Sequence, residues 1–463
     1  MWVIDDLKTA FSQWPQSGIS VLVVGGGLAG LSFGIEATRK GHKVQIIERR
    51  PDFDDFGDLV GVQSPVLHTM NQWPGFVEEM KKTAWPAFNH YKKYDGTPIG
   101  IFPIGDPDLP SIPLNRLVFH ALLHRYATDL GIPIKLSTAA VEYFETEEHG
   151  GVRLADGSTM TADLVVAADG IGSKSRLLVV GSNDRPVSTG LAIYRASFPV
   201  KPVLESNPVL AREFEGFDRR VSLHIGPGAH ILIGKLEDDV CWLMTHKDER
   251  PADDPIMGTA TVADALPHVE GWTPVVTELV KATPTKNIVD WRLMFRDPQT
   301  SWASPAGRVV QIGDAAHPFL PTSGSGATMG IEDALSLAAC LQLSGKADVP
   351  LGARVHSRLR FERVVCAQKM CFKISEKYHK TDWEAVAKNP KLVGRAVGDW
   401  VFRHDPEQYA VDNYGRCVNH LIAGASFANT NMPPGYVYKP WTVGEMLRAS
   451  EAGHEIVDEG DWS

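Results

Sequence analysis

Basic residues are in deficit: Lys and Arg together number 46 against 56 Asp and Glu, a formal net charge of −10 over 463 residues. A phosphate polymer or an anionic membrane needs a basic surface, so nucleic acid and membrane are set aside as main partners and small molecules come forward. Cysteine is scarce. The five that occur, at 241, 340, 366, 371 and 417, are odd in number and scattered. Cys366 and Cys371 lack metal-ligand spacing, and no cluster of His, Cys and carboxylates supplies it, so neither a disulfide framework nor a metal site is expected. No apolar run approaches the ~18 residues of a membrane span. The opening "MWVIDDLKTAFSQWPQSG" carries acids where a signal peptide carries bases. Together these point to a reducing, cytoplasmic setting. Internal repeats and low-complexity tracts are missing too, while the length exceeds what one hydrophobic core holds, so two domains or a large insertion are expected.

What the chain does have is glycine in one informative place. "VLVVGGGLAG", Val21 to Gly30, runs from a β-branched apolar strand into glycines at 25, 27 and 30. Apolar residues then recur at helical spacing until Gly41, and "HKVQIIE" follows as a second buried strand ending at Glu48. The three glycines differ in what they make possible. Gly25 permits the turn, Gly27 lets backbone approach a pyrophosphate, and Gly30 lets helix and strand pack closely. The helix N-terminus offers unpaired N–H groups and a positive dipole to phosphates. Glu48 is placed to accept from ribose hydroxyls. A dinucleotide site is expected, with NAD(P) and FAD both open at this point.

Two later strand ends narrow the choice. "ADLVVAADGIGSKSR", 162–176, ends a strand in Asp169-Gly170, and "RVVQIGDAAHPFLPTSGSGATMGIEDALSLAACL", 308–341, ends one in Gly313-Asp314 before a loop and an apolar helix. The three motifs in this order resemble the class A FAD-dependent monooxygenases, aromatic hydroxylases of the p-hydroxybenzoate hydroxylase fold, and especially their salicylate-hydroxylase-like and fungal secondary-metabolite branch. The resemblance covers nearly the whole chain. It implies FAD as cofactor, with Asp314 on the ribityl chain and the backbone at Gly324, Gly326 and Ala327 facing the flavin's pyrimidine edge, where a helix N-terminus stabilises negative charge. It assigns Asp169 to the cofactor and nicotinamide side, and makes Arg116 either an FAD contact or a surface charge at a helix start. Arg49, beside Glu48, and Asp58 complete the cofactor-binding set. His317 is implied to be structural. Ser325 departs from the family, which usually has glutamine there.

The fold implied is α/β: a Rossmann-like FAD-binding domain with an inserted antiparallel β-sheet substrate domain and a helical C-terminal region. The FAD domain is expected from 18–185 and 300–375, the substrate domain from 186–299 with a hairpin at 88–105 added to its sheet, and the C-terminal region from 376–463. With no second GxGxxG unit, NAD(P)H is expected to dock only transiently. The implied chemistry is an NAD(P)H- and O2-using monooxygenation of an electron-rich aromatic or indole-like small molecule through a flavin C4a-hydroperoxide. A flavin oxidase or halogenase, or a non-enzymatic flavoprotein sensor, are competing readings. The Trp-x-Trp-x-Ile-Pro halogenase signature is missing from "DWRLMF", 290–295. Arg195, in "AIYRASF", matches an arginine of the family's first substrate-domain strand; it is either catalytic or a salt-bridge partner. Its neighbour Tyr194 is expected on the opposite strand face. His224 shares a face with Ser222, opposite Val221, Leu223 and Ile225, and either lines a polar cavity as a base or sits on an outward face. Monomer and homodimer are both compatible with the sequence.

Overall fold

The computed structural model describes residues 2–53, 59–182, 184–250, 255–284, 288–394, 397–454 and 458–462, so Asp58 lies outside the described residues. The strand Ser20–Val24 sits at the centre of a five-stranded sheet, ordered Val309–Gln311, Leu164–Ala167, Ser20–Val24, Lys43–Ile47, Ile134–Lys135. All four pairings are parallel. Parallel strands are buried on both faces, which explains why these segments read as apolar runs without alternation. Val21 and Val23 pack against helices, including Leu28–Arg39 and Gly326–Ser344. Leu22 and Val24 pack on the other side against a three-stranded sheet through Tyr143 and Val152. Chain order reverses beside the first strand. That is where a parallel sheet opens a crevice at its strand carboxyl ends.

A second, eight-stranded sheet is built mainly from residues between Val187 and Phe295, and the hairpin Phe88–Lys93/Pro98–Pro103 forms its edge. The Gly226-Pro227-Gly228 turn joins the strand Arg219–Gly226 to Ala229–Leu236, which pair antiparallel. The hairpin departs from an all-antiparallel meander. Phe88–Lys93 runs parallel to Arg219–Gly226, with Ser222 opposite His90, because it reaches the sheet as an insertion from an earlier part of the chain and not through a hairpin turn. Helices Lys201–Ser206, Pro208–Phe214 and Pro274–Lys281 cover the far face of this sheet through Val203, Leu210, Phe214, Val276 and Leu279. The near face looks toward the parallel sheet. C-terminal helices, among them Pro406–Ala423 and Val443–Glu451, follow the long helix Val349–His379.

A buried ionic cluster fixes the helices behind the crevice. Arg363 holds both oxygens of Glu332, at 2.9 and 2.8 Å, and donates to the carbonyls of Trp400 and Val401 at 2.6 and 2.9 Å. Arg360 bonds Glu332 and also reaches Asp333 at 2.9 Å. Asp333 in turn accepts from the Gly313 amide at 2.9 Å and pairs with His317 at 2.5 Å. Burial raises the Asp333 carboxyl, but His317 and Arg360 outweigh it and hold the group well below the usual carboxylate range. The Gly313–His317 turn is thereby tied to the helix that follows it.

Candidate active site

The glycine turn is dictated by close approach. Gly25 has φ +109°, and a Cβ there would lie 2.4 Å from the carbonyl oxygen of Ala168 at the end of the neighbouring strand. At Gly30 a Cβ would lie 2.1 Å from the Gly25 carbonyl, so helix and strand touch backbone to backbone. Gly27 differs. A Cβ there meets nothing within 4 Å, which leaves open space directly before the helix Leu28–Arg39, where N–H groups have no intrahelical partner. Glu48 Oε2 accepts from the Gly26 amide at 2.8 Å and Oε1 from the Arg50 amide at 3.0 Å. His120 Nε2 lies 2.6 Å from the Gly26 carbonyl. Glu48 and Arg49 both line the cavity that opens here.

Asp314 stands in the turn after the strand Val309–Gln311, and its side chain is exposed into this cavity. Burial raises its carboxyl pKa, against the pull of His317 and Arg116. Arg116 opens the helix Arg116–Asp129, but the cap is made by Asn115, whose Oδ1 accepts from Leu117 at 2.9 Å. Arg116 is half-buried and lines the cavity. Asp169 is also in its wall; burial raises its carboxyl, partly offset by Ser173 and by the Tyr143 hydroxyl, which donates at 2.8 Å. Gly324, Gly326 and Ala327 bring the start of the helix Gly326–Ser344 to the same space. Gln63, from the strand-end loop before Ser64, donates to Ser325 Oγ at 3.4 Å, so a glutamine amide reaches this turn from another segment.

The cavity, about 920 Å³, continues from these strand ends to the near face of the eight-stranded sheet. That is the upper end of ligand-pocket sizes, about 300–1,000 Å³. Ile193, Leu223, Leu232, Leu243 and Trp291 make this face apolar, and Arg195 lies among them. The Arg195 guanidinium stacks 4.9 Å from the Trp291 ring centroid and is 6% exposed. Tyr194 points to the far face and stacks on His246 with centroids 4.2 Å apart. The expectation for His224 is corrected. Strand alternation separates it from Leu223, but the face that lines the cavity is the apolar one, and His224 is fully buried on the opposite side. Burial, with Lys92 and Arg220, pushes its pKa down to about 3, and neither ring nitrogen has a hydrogen-bond partner among the described residues.

Comparison with known proteins supplies the family. A family model described as an FAD binding domain matches residues 18–183 and 262–367. The FAD-dependent monooxygenase fsr3 of Gibberella fujikuroi is 37% identical, over 97% of this chain and 91% of its own. The chain belongs to the class A FAD-dependent monooxygenases. A solved structure of CtdE in complex with FAD and a substrate superposes on this monooxygenase with a TM-score of 0.81 and 30% identity, over 87% of this chain and 99% of that one. A salicylate hydroxylase substrate complex shares the fold, with a TM-score of 0.71 and 24% identity over 87% and 98% of the two chains.

The cavity of the monooxygenase fits FAD on its own terms. Open space beside Gly27, two helix N-termini at Leu28 and Gly326, and a carboxylate at Asp314 facing the void give a diphosphate and a polyhydroxylated chain their partners. Several wall residues are not singled out by sequence alone. Trp291 stands in a segment notable in sequence only for a missing signature, and its link to Arg195 depends on strand pairing, with Ile193 opposite Trp291. His230 shares parity with Leu232 along its strand, which is the available signal. Tyr378, Tyr91 and Gln63 reach the cavity from distant segments and carry none.

Proposed function

We propose that this monooxygenase takes electrons from transiently docked NAD(P)H and inserts one atom of O2 into an electron-rich aromatic small molecule held against the apolar sheet face. One continuous cavity joins the glycine turn to the Arg195–Trp291 pair, and this supports the reading because cofactor and substrate need to meet in a space closed to bulk water. When bound, reduced FAD activates O2 and supplies an electrophilic oxygen atom. The chain's own residues do the rest. Gly25, Gly27 and Gly30 with the Leu28 helix start would hold the diphosphate, Glu48 with Arg49 beside it the adenosine ribose, Asp314 the ribityl chain, while Arg116 would contact FAD and Asp169 would stand on the cofactor and nicotinamide side. The amides at Gly324, Gly326 and Ala327 face the ring edge. Residues 18–185 and 300–375 form the cofactor domain, and 186–299 the substrate domain. Leu223, Leu232 and Leu243 exclude water over the aromatic ring of the substrate. Arg195 is a fixed cation whose planar fork, braced on Trp291, stabilises negative charge on the substrate as oxygen is delivered.

A non-catalytic sensor predicts a different response from this enzyme. Rapid mixing of the FAD-loaded protein with NADPH or NADH is expected to show slow flavin reduction alone and much faster reduction with a binding phenol or indole, because the substrate biases the flavin toward a reducible position. Reduction at one rate with and without every aromatic tested would contradict this gating.

A further inference from the structure

One polar side chain in the wall of the cofactor end has no part in the chemistry above. Gln63 lines the cavity between the strand Leu59–Val62 and the helix Ser64–Met70, whose N-cap it is. Its place is fixed through the backbone: the Gln63 amide donates to Thr328 Oγ1 at 3.2 Å, and that hydroxyl donates to the Gly61 carbonyl at 3.4 Å. The side chain adds a second tie. Nε2 donates to Ser325 Oγ at 3.4 Å and to the Gly324 carbonyl at 3.5 Å, in the turn just before the helix Gly326–Ser344. Ser325 is fully buried, and its hydroxyl donates onward to the Ser323 carbonyl at 3.2 Å. Two segments of the cavity wall are thus joined through one residue, at the turn where Ser325 stands in place of the family's usual glutamine.

The carboxamide is only half used. Both side-chain contacts are made by Nε2, and Oε1 is buried without a hydrogen-bond partner among the described residues. A buried acceptor left unpaired is unfavourable, so such an atom in the wall of a ligand cavity calls for a donor that the ligand brings. The pyrimidine edge of a flavin brings one. It has two carbonyl oxygens and, between them, the N3–H group. The backbone amides at Gly326 and Ala327 are donors that suit the carbonyl oxygens, but a donor has nothing to offer N3–H. The nearby carbonyls of Gly324 and Gly61 are engaged by Gln63 and Thr328. A carboxamide oxygen supplies the missing acceptor.

Resting on the placement of the flavin ring edge in the monooxygenase reading, we propose that Gln63 is a cofactor-positioning residue that stands in for the side chain absent at 325: Oε1 accepts from flavin N3–H while Nε2 holds the Gly324–Ser325 turn. One side chain then fixes both the ring and the helix start that faces it. The ring keeps a single register against the donor amides.

FAD methylated at N3 tests this, because it lacks the N–H and is otherwise the same cofactor. The full chain, stripped of flavin, is titrated with FAD and with 3-methyl-FAD, and binding is read from flavin fluorescence. The wild type is expected to bind 3-methyl-FAD at least about 10-fold more weakly than FAD, as loss of a buried hydrogen bond requires. Gln63→Ala removes the carboxamide and leaves room for the methyl group; it should bind FAD at least about 10-fold more weakly than the wild type and discriminate between the two cofactors by less than about twofold. In Gln63→Ala/Ser325→Gln a glutamine returns to the turn, and the preference for FAD should return with it. A Gln63 that only supports the fold predicts instead that both cofactors weaken by one factor, and a wild-type preference kept in Gln63→Ala would overturn the proposal. Equal affinity of the wild type for the two cofactors would do the same without any variant. A double variant that binds FAD but discriminates no better than Gln63→Ala would overturn the exchange of roles with position 325. Failure of the wild type to bind either flavin would bring down the monooxygenase reading and this inference with it, whereas the other adverse results leave that reading standing.

Discussion

Arg363→Ala is expected to lower stability by about 3–5 kcal/mol, the cost of leaving a buried carboxylate without its main partner. Arg363 and Glu332 are both fully buried, and the guanidinium also satisfies the carbonyls of Trp400, Val401 and Asn431 from the C-terminal region. The substitution thus strands one charge and three acceptors at once. The effect reaches the cofactor end because Glu332 neighbours Asp333, which anchors the Gly313–His317 turn. Urea unfolding of the FAD-loaded protein checks the magnitude, and the released flavin reports the second effect. The pH dependence has a definite sign. Burial pushes the Glu332 carboxyl up, but Arg363 and Arg360 outweigh it and leave the group below its ordinary value. A depressed folded-state pKa contributes stability that is present above the unfolded value, about 4.3, and is lost as pH falls through the folded value. Without Arg363 burial is less opposed, so the variant should unfold at a higher pH on acid titration than the wild type. Stability within about 0.5 kcal/mol of wild type would show that the cluster does not hold these helices.

Arg195→Lys keeps a charge but loses the planar fork that stacks on Trp291. FAD content should stay normal, since Arg195 lies on the sheet face and not at the strand-end motifs. Product formed per NAD(P)H consumed should fall at least ~10-fold, or ~1.4 kcal/mol of transition-state stabilisation, with hydrogen peroxide released instead. The check is simultaneous assay of NAD(P)H, peroxide and product. Wild-type coupling in this variant would make Arg195 a packing residue. His224 does not inherit the role, because it points away from the cavity.

The parallel sheet and its glycine turn were legible because their signals are local. A β-branched run followed by glycines at 25, 27 and 30 leaves little freedom in how strand, turn and helix connect, and the structure shows the contacts that exclude a Cβ at 25 and 30. Alternation along Arg219–Gly226 likewise separates His224 from Leu223, but alternation says only that two faces differ. Both faces of this sheet are buried, one under helices and one over the cavity, so polarity does not tell which is which. The Arg195–Trp291 stack depends on register between strands, which one chain segment does not encode alone. Gln63 illustrates the same limit. A glutamine is missing from the turn at Ser325, yet an amide arrives there from a loop more than 200 residues earlier in the sequence.

Incubation of the FAD-loaded enzyme with NAD(P)H and a panel of phenols and indoles under isotopically heavy dioxygen tests the central claim most directly. The account predicts a product bearing one heavy oxygen atom, formed in step with NAD(P)H oxidation and only while FAD is bound. Products whose new oxygen comes from water, or substrate-stimulated NAD(P)H oxidation that yields peroxide and no oxygenated product with any aromatic accepted in the cavity, would contradict it.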